Sequence, residues 1–568
     1  MTKNITKQKD LEPSVTPLIQ KVKIQNYKCF KGMFTVVFAK NSTVIVGSNE
    51  TGKSTILEAI NLALSGYIQG KHIRSVLSES LFNQQVVGEY LNKIAAGAII
   101  DPPAIIIEIY TSANLPILKG NANSDNENAY GFVFKISLDD RLLKEYLMLL
   151  NQSAIKTIPI EYYSISWTDF SRAEHTPRSL PIKAIILNSQ SLATYSGGDL
   201  FLSRVVDDIL EPEELHSLSQ AYRQIHEQFK DNPSIVSINS KLKTYNEILK
   251  ENLAVNTALP TVEAWRGELI TSIDSIPFSQ SGLGKQTILK TKLMLTSKNS
   301  QKCSIILVDE PENHLTYGNM AALIESIIQL CESRQTVLVT HSSFVLNKVG
   351  LDSLVLLNEE RVMTFAKLPK DTIDYFKKLP GYNTLRLLLS RKTILVEGSS
   401  EELYLQRAYM DMHENEKPLA AGVDILSIGG LAFLRFLQLA EPLNLCVHVV
   451  TDNDGNLDSI VTKYALYINS DFTQKLKTIA IHFPHKINER EDFAGLEKVE
   501  EVKLNTLEAE IYLLNNELKL REILNLIEYK GCLLAWMQKN KTECALRIFE
   551  STRNIVYPQY IMEALSND

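Results

Sequence analysis

The hydrophobic and polar positions change period several times along the chain, and each change predicts an element. Ile19 to Asn26 alternates apolar and polar residues and predicts a strand, with Phe34 to Phe38 as its hairpin partner. Ser42 to Val46 is a continuous apolar run, as expected of a buried strand, and Ser54 to Leu64 follows at helical spacing. Residues 104–190 hold short strand-like runs at 104–110, 131–136, 160–165 and 182–187, with a turn-rich stretch at 120–128. They predict an antiparallel appendage or sheet edge. Across 199–256, apolar residues recur at helical spacing in a charged background, without a heptad run long enough for an extended coiled coil. Near residue 390 the pattern restarts. Runs at Thr393–Val396, Val423–Leu426 and Cys446–Val450 alternate with helical stretches. That rhythm predicts a second parallel-sheet domain, beginning at about 388.

Composition narrows the class. A chain of 568 residues exceeds one core, and 45% hydrophobic with 22% charged residues is ordinary for a globular protein. The net charge of −7 leaves any polyanion to local basic residues or metal ions. The six cysteines form no C-x-x-C pair, so they read as thiols of a reducing compartment rather than zinc ligands. The N-terminus is too polar for a secretion signal. The apolar stretch Ile94–Ile107 is broken by Asp101-Pro102-Pro103, so no membrane span is expected and a cytoplasmic location is the default.

The first chemistry lies between the early strand and helix. Gly47-Ser48-Asn49-Glu50-Thr51-Gly52-Lys53-Ser54 fits G-x-x-x-x-G-K-S/T, the phosphate loop, in the strand–loop–helix setting it requires. Backbone N–H groups of Gly47, Asn49 and Gly52 would cradle phosphates, Lys53 would meet the β- and γ-phosphates, and Ser54 would ligate Mg²⁺, with Thr55 beside it. Downstream, the apolar run Ser304–Val308 ends in Asp309 and Glu310. Asp309 takes the metal-holding role and Glu310 the water-orienting one. His341 follows the run Thr336–Thr340, where a γ-phosphate sensor would sit. Between them, Ser281-Gly282-Leu283-Gly284-Lys285-Gln286 precedes a helical stretch and offers another anion site. In this order the set resembles an ATP-binding-cassette ATPase head. The resemblance implies that Ser281 and Gly282 of one copy cap ATP on another, hence a homodimer or higher even oligomer. Gln190 is the candidate for the Gln that such heads carry after a middle strand.

A second acidic set lies in the later domain. A strand ends in Glu397-Gly398, with Gly398 expected to make a tight turn and Glu401 in the following helix. Another strand ends in Asp452-Asn453-Asp454, whose two acids should share one side of an extended segment, and Glu508 and Glu510 come later. Clustered carboxylates repel one another, and Mg²⁺ or Mn²⁺ relieves that repulsion. With Gly429-Gly430 and Thr506-Leu507-Glu508, this arrangement resembles the Toprim fold. A Toprim domain behind an ATPase head is similar to the OLD (overcoming lysogenization defect) nucleases, a family that includes the Gabija nuclease subunit and OLD effectors found beside retrons. The resemblance implies a basic residue near the metals, here Lys541.

The fold class read from the sequence is α/β: an ABC-type P-loop ATPase head with a helical dimerisation insert, then a Toprim parallel-sheet domain and a helical C-terminal segment. The limits are 1–198 and 261–388 for the head, 199–260 for the insert, 389–515 for the Toprim domain and 516–568 for the last segment. The expected function is an ATP-regulated, Mg²⁺- or Mn²⁺-dependent DNA endonuclease or nickase in anti-phage defence. The catalytic set is Glu310, His341, Glu397, Asp452, Asp454 and Lys541. Toprim metal ligands are expected among Glu397, Glu401, Asp452, Asp454, Glu508 and Glu510, and motor metal ligands are Ser54 and Asp309. The resemblance implies DNA as partner, with a helicase-like protein or a retron reverse transcriptase and its DNA–RNA as companions. The alternative is a cohesin-like DNA-tethering or repair ATPase whose Toprim half binds without cutting. A topoisomerase would need a catalytic tyrosine in a winged-helix domain, which the sequence does not suggest.

Overall fold

The structure is a computed structural model that describes residues 18–566, apart from 49, 113–114, 153–154, 189–209, 250–253, 257–263, 266–271, 314, 332–333, 350–352, 359–360, 365–368, 379–381, 430–431 and 494–501. Asn49, Gln190 and Gly430 lie outside the described residues. Contacts divide the chain into two compact units, one formed by residues 1–45 and 49–340, the other by 46–48 and 341–568.

The first unit is built around two larger sheets, along with two short hairpin pairs. In the antiparallel one, Ile19–Gln25 pairs with Met33–Val37 on one side and Ile105–Thr111 on the other; Ala129–Leu138 and Tyr163–Asp169 follow. Alternation explains this pleat: Val22 and Ile24 are fully buried, as are Ile107 and Ile109 opposite them. The second sheet is parallel, in the order Ala184–Asn188, Ile305–Asp309, Gln335–Val339, Ser42–Gly47. The run at 182–187 therefore leaves the antiparallel group and becomes the edge of the parallel sheet. Its unbroken Ala184-Ile185-Ile186-Leu187 suits a strand beside the buried Ile305–Asp309 rather than a two-faced hairpin. Gln335, fully buried, ties the two sheets: its amide accepts from Ile19 N at 2.7 Å and donates to Ile19 O at 2.7 Å and Ala39 O at 2.9 Å. The expected insert contains two helices, Pro212–Lys230 and Pro233–Leu249.

The second unit is built on a four-stranded parallel sheet in the order Val423–Ser427, Lys392–Val396, Val447–Val450, Ile479–His482. The sequence reading supplies three of these strands. The fourth is short and ends in His482, and its weak Ile479/Ile481 alternation is the signal that was passed over. Helices Ser399–Met412, Lys541–Glu550 and Gln559–Leu565 share one core with the sheet, through Ile394, Tyr404, Ala408, Cys544, Ile548 and Ile561 among others. The C-terminal helices thus belong to the sheet's own core, which carries Lys541 back to the strand ends. Among the described residues, no helix is long and apolar enough to cross a membrane.

Candidate functional sites

The phosphate loop joins strand Ser42–Gly47 to helix Lys53–Ser65. Gly52 has φ +91°, and a Cβ there would lie 2.6 Å from the Phe30 ring and 2.7 Å from Cys29 Sγ, so both conformation and space demand glycine. Ser54 Oγ donates to Asp309 Oδ1 at 2.8 Å, joining the loop to the acidic end of strand Ile305–Asp309. Burial pushes the Asp309 carboxyl up to about 6; the Ser54 hydroxyl opposes this, and Glu310, Glu312 and Glu58 add to it. Burial lowers the Lys53 pKa while Glu310 and Asp309 pull it upward. The motor thus holds a buried ammonium between two acids at a helix N-terminus, a setting that accepts a polyphosphate and Mg²⁺.

Glu310 leaves the strand in a left-handed conformation, φ +47°, and accepts from Asn313 Nδ2 at 2.8 Å. Asn313 was not anticipated, because nothing in sequence spacing marks it. Thr55 lies in the first turn of the loop helix, and His341 follows strand Gln335–Val339 by two residues. Gly282 starts helix Leu283–Thr296, with no atom within 4 Å of where its Cβ would stand. Leu283 is 59% exposed, and Gln286 Nε2 closes the turn onto Ser281 O at 2.7 Å.

In the second unit, Lys392–Val396 and Val447–Val450 are neighbours in register, Leu395 opposite Val449. That register places Glu397 beside Thr451, whose hydroxyl donates to Glu397 Oε1 at 2.8 Å. Gly398 does not make the expected tight turn. Its φ of −141° is extended, and a Cβ there would meet the movable carboxylate end of Glu401, 2.9 Å from Oε2. Glu401 sits in the first turn of helix Ser399–Met412, and burial raises its pKa, Lys541 opposing and Glu508 and Glu397 adding.

The pKa of Asp452 is raised by the same surroundings. Burial, then Glu508, Glu397 and Glu401, push its carboxyl well above the usual range, against Lys541. Glu508 is fully buried in the first turn of helix Leu507–Leu514, and neither of its oxygens has a hydrogen-bond partner among the described residues. Lys541 Nζ stands 3.4 Å from Glu508 Oε2. Burial works against the Lys541 charge, but Glu508, Glu401 and Asp452 outweigh it and raise its pKa.

Two expected members stand apart. Strand Val447–Val450 ends before the acids, and Asp454 turns left-handed at φ +45°, so strand alternation does not carry it to the side of Asp452; its side chain is exposed. Glu510 lies two residues beyond Glu508 on a helix, about 200° around the axis. It accepts from Asn488 Nδ2 at 2.6 Å instead. Glu397, Glu401, Asp452, Glu508 and Lys541 are the charges that act on one another here. Among the described residues, no three His, Cys, Asp or Glu side chains are grouped closely enough to hold an ion. The shared trio Glu397–Asp452–Asp454 expected from spacing is not found. Asn453 was missed: it is buried, and its amide fixes the turn through Gly455 N at 3.0 Å.

With this geometry established, likeness to known proteins becomes informative. The family described as "AAA domain" matches residues 21–261, and that described as "AAA ATPase domain" matches 182–346. The family described as "overcoming lysogenization defect protein-like, TOPRIM domain" matches residues 388–454, the stretch that supplies Glu397, Glu401 and Asp452. The chain thus carries an OLD-like Toprim domain behind regions similar to AAA ATPase domains. Glu508 and Lys541 lie beyond the matched stretch, so the fold, not the family match, brings them to the acids. No curated protein matches the chain. Solved structures similar to it include the Smc head domain with an extended coiled coil from Pyrococcus furiosus, bound to the C-terminal domain of ScpA. It is 13% identical, covers 61% of this chain and 96% of that chain, and has a TM-score of 0.30. The SMC head domain from Thermotoga maritima is 12% identical, covers 61% and 98%, and has a TM-score of 0.27. ATPase and Toprim domains generally use ATP and divalent metal ions, and their presence on one chain points to an enzyme of the ATPase–nuclease kind.

Proposed function

We propose that this protein is an ATP-regulated, Mg²⁺- or Mn²⁺-dependent DNA endonuclease or nickase of the OLD type, acting as a homodimer or higher even oligomer in anti-phage defence. Residues 389–515 are its nuclease domain in this reading, completed by Lys541. The observation that carries it is Glu508: a fully buried carboxyl group whose oxygens accept no hydrogen bond among the described residues, with Lys541 Nζ 3.4 Å from Oε2 and with the carboxylate's charge acting on Asp452 and Glu401. A buried carboxylate without hydrogen bonds among other acids suits a hard divalent cation. The residues that would hold it are Glu397, Glu401, Asp452 and Glu508, whose side chains would have to draw together around it from their present spacing. A cation there would neutralise the cluster and stabilise charge on the displaced phosphodiester oxygen.

The remaining roles fall to the chain's own groups. Thr451 fixes one oxygen of Glu397. Lys541, about half exposed, has an ammonium that stands 3.4 Å from Glu508 Oε2 and can meet a phosphate oxygen on its exposed side. ATP binding at Lys53, Ser54 and Asp309, capped by Ser281 and Gly282 of another copy and sensed by His341, regulates access to the acidic site. A helicase-like protein or a retron reverse transcriptase with its DNA–RNA is the companion this reading would look for.

The test is supercoiled DNA with Mg²⁺ or Mn²⁺, for wild type, Glu397→Ala and Asp452→Ala, across ATP concentrations. Each substitution should cut the rate by roughly 10³-fold or more while ATP binding is unchanged. Variants that cleave as well as wild type would remove the Toprim assignment. A wild type that binds DNA and never cuts it would return the tethering alternative.

A further inference from the structure

We infer that His485 is a stacking platform for an unpaired base of the DNA strand entering the acidic site. The inference rests on the nuclease reading above and adds to it how the strand is gripped. It begins with Asn453, the residue between Asp452 and Asp454. Its side-chain Nδ2 donates to Pro484 O at 3.0 Å and to Lys486 O at 2.9 Å. Those are the two carbonyls flanking His485. The loop that carries His485 is therefore clasped directly to the acidic turn, at the C-terminal end of strand Ile479–His482.

The ring itself is exposed and backed by aromatics. Its centroid lies 5.0 Å from Phe472 at 35° and 4.9 Å from the buried Phe483 at 59°. Phe472 arrives by a separate route. A tight turn joins Ile468 to Gln474, with Asn469 N donating to Thr473 O at 2.9 Å and Phe472 N to Asn469 O at 3.0 Å. Gln474 anchors that turn to the edge strand, donating to Ile481 O at 2.9 Å and accepting from Ile481 N at 3.0 Å. Phe472 is held at φ +65°, a conformation a bulky L-residue adopts only at a cost in energy. Two separately anchored loops thus converge on one exposed ring, in a loop tied to the residue that follows Asp452. A solvated loop histidine needs no such support.

Charge and chemistry select the occupant. Lys486, next to the ring, has its ammonium 2.6 Å from Asp492 Oδ1, so its charge is already partnered. The net charge of −7 adds no general attraction. Grip here comes from stacking, which every base can provide and which tolerates sequence, but which needs a base face freed from the duplex. The partner is therefore a single-stranded or locally opened segment of DNA.

The experiment uses the full chain in EDTA, so that binding is read without cleavage. A single-stranded oligonucleotide carrying 2-aminopurine is titrated against wild type, His485→Ala, His485→Tyr and Phe472→Ala, with thermal melting to confirm each fold. Wild type should change the 2-aminopurine fluorescence. His485→Ala should lose that change and bind about 5- to 150-fold more weakly. His485→Tyr should restore both, and Phe472→Ala should weaken binding if it misfolds nothing in the melt. Wild-type affinity and signal in His485→Ala would overturn the platform. If the same His485→Ala protein also cuts DNA normally with Mn²⁺, the nuclease reading survives that loss. A wild type that neither binds the oligonucleotide nor cuts DNA would overturn both.

Discussion

Replacing Glu508 by Gln should make the protein more stable and less active at once. Glu508 is fully buried, its oxygens lack hydrogen bonds among the described residues, and Lys541 approaches no closer than 3.4 Å. A buried polar group left in that condition costs about 1–3 kcal/mol when neutral and more when charged, and it is that excess, here taken to be of the same order, that glutamine would remove. Glutamine keeps the shape and removes the charge. Lys541 loses an attractive partner, but its side chain is 42% exposed and water can take over. Asp452 gains as well, because Glu508 follows burial as the largest cause of its raised pKa. For a unit of this size, about 1–3 kcal/mol corresponds to a rise in melting temperature of roughly 2–12 °C. Differential scanning calorimetry in EDTA reads the shift in the unit's own transition. Added Mn²⁺ should then separate the two proteins in the other direction. Wild type should gain up to ~2.7 kcal/mol when the metal is at a hundredfold its Kd, and Glu508→Gln markedly less. Nicking by the variant should fall steeply. A variant that melts at or below wild type in EDTA, or that gains as much from Mn²⁺, would refute the reasoning.

Three further predictions follow from other parts of the molecule. Lys53→Ala should abolish ATP binding, and Glu310→Gln should retain binding and slow hydrolysis, both measured with labelled nucleotide; unchanged turnover in Glu310→Gln would remove its water-orienting role. If Ser281 and Gly282 complete another copy's ATP site, light scattering with ATP should show a dimer or an even multiple, and Gly282→Arg should lower hydrolysis more than binding, because the exposed Gly282 has open space around it. His448 and His482 share a 3.1 Å hydrogen bond, and burial pushes their pKa values down to about 3 and about 4. Unfolded histidine binds its proton near 6.5, so the unfolded chain holds more protons below that pH, and stability should fall from pH 6.5 toward 4. The His482 contribution is up to about 3 kcal/mol and does not add to that of its partner; His482→Gln should flatten the decline in a pH series of urea melts.

The sequence by itself determined the parts whose chemistry is local. A phosphate loop is a contiguous turn between a strand and a helix, so Gly52, Lys53 and Ser54 are legible from spacing, and Asp309 and Glu310 from their place at the end of an apolar run. Glu397, Glu401 and Asp452 were legible for the same reason. What spacing could not decide was direction. Asp454 and Glu510 each stand two residues from a member of the cluster, yet a left-handed turn carries one outward and a helical step carries the other to Asn488. Gly398 was read as a turn, although the backbone there is extended at φ −141°. The run at 182–187 showed a strand without showing its sheet, because pairing partners at 305–309 are distant in sequence. Only the tertiary structure brought Glu508 and Lys541 to the strand ends, since a shared hydrophobic core places them there. It also clasped the loop around His485 to Asn453. Periodicity reports which face of an element is buried; which distant element covers that face is a property of the packed core.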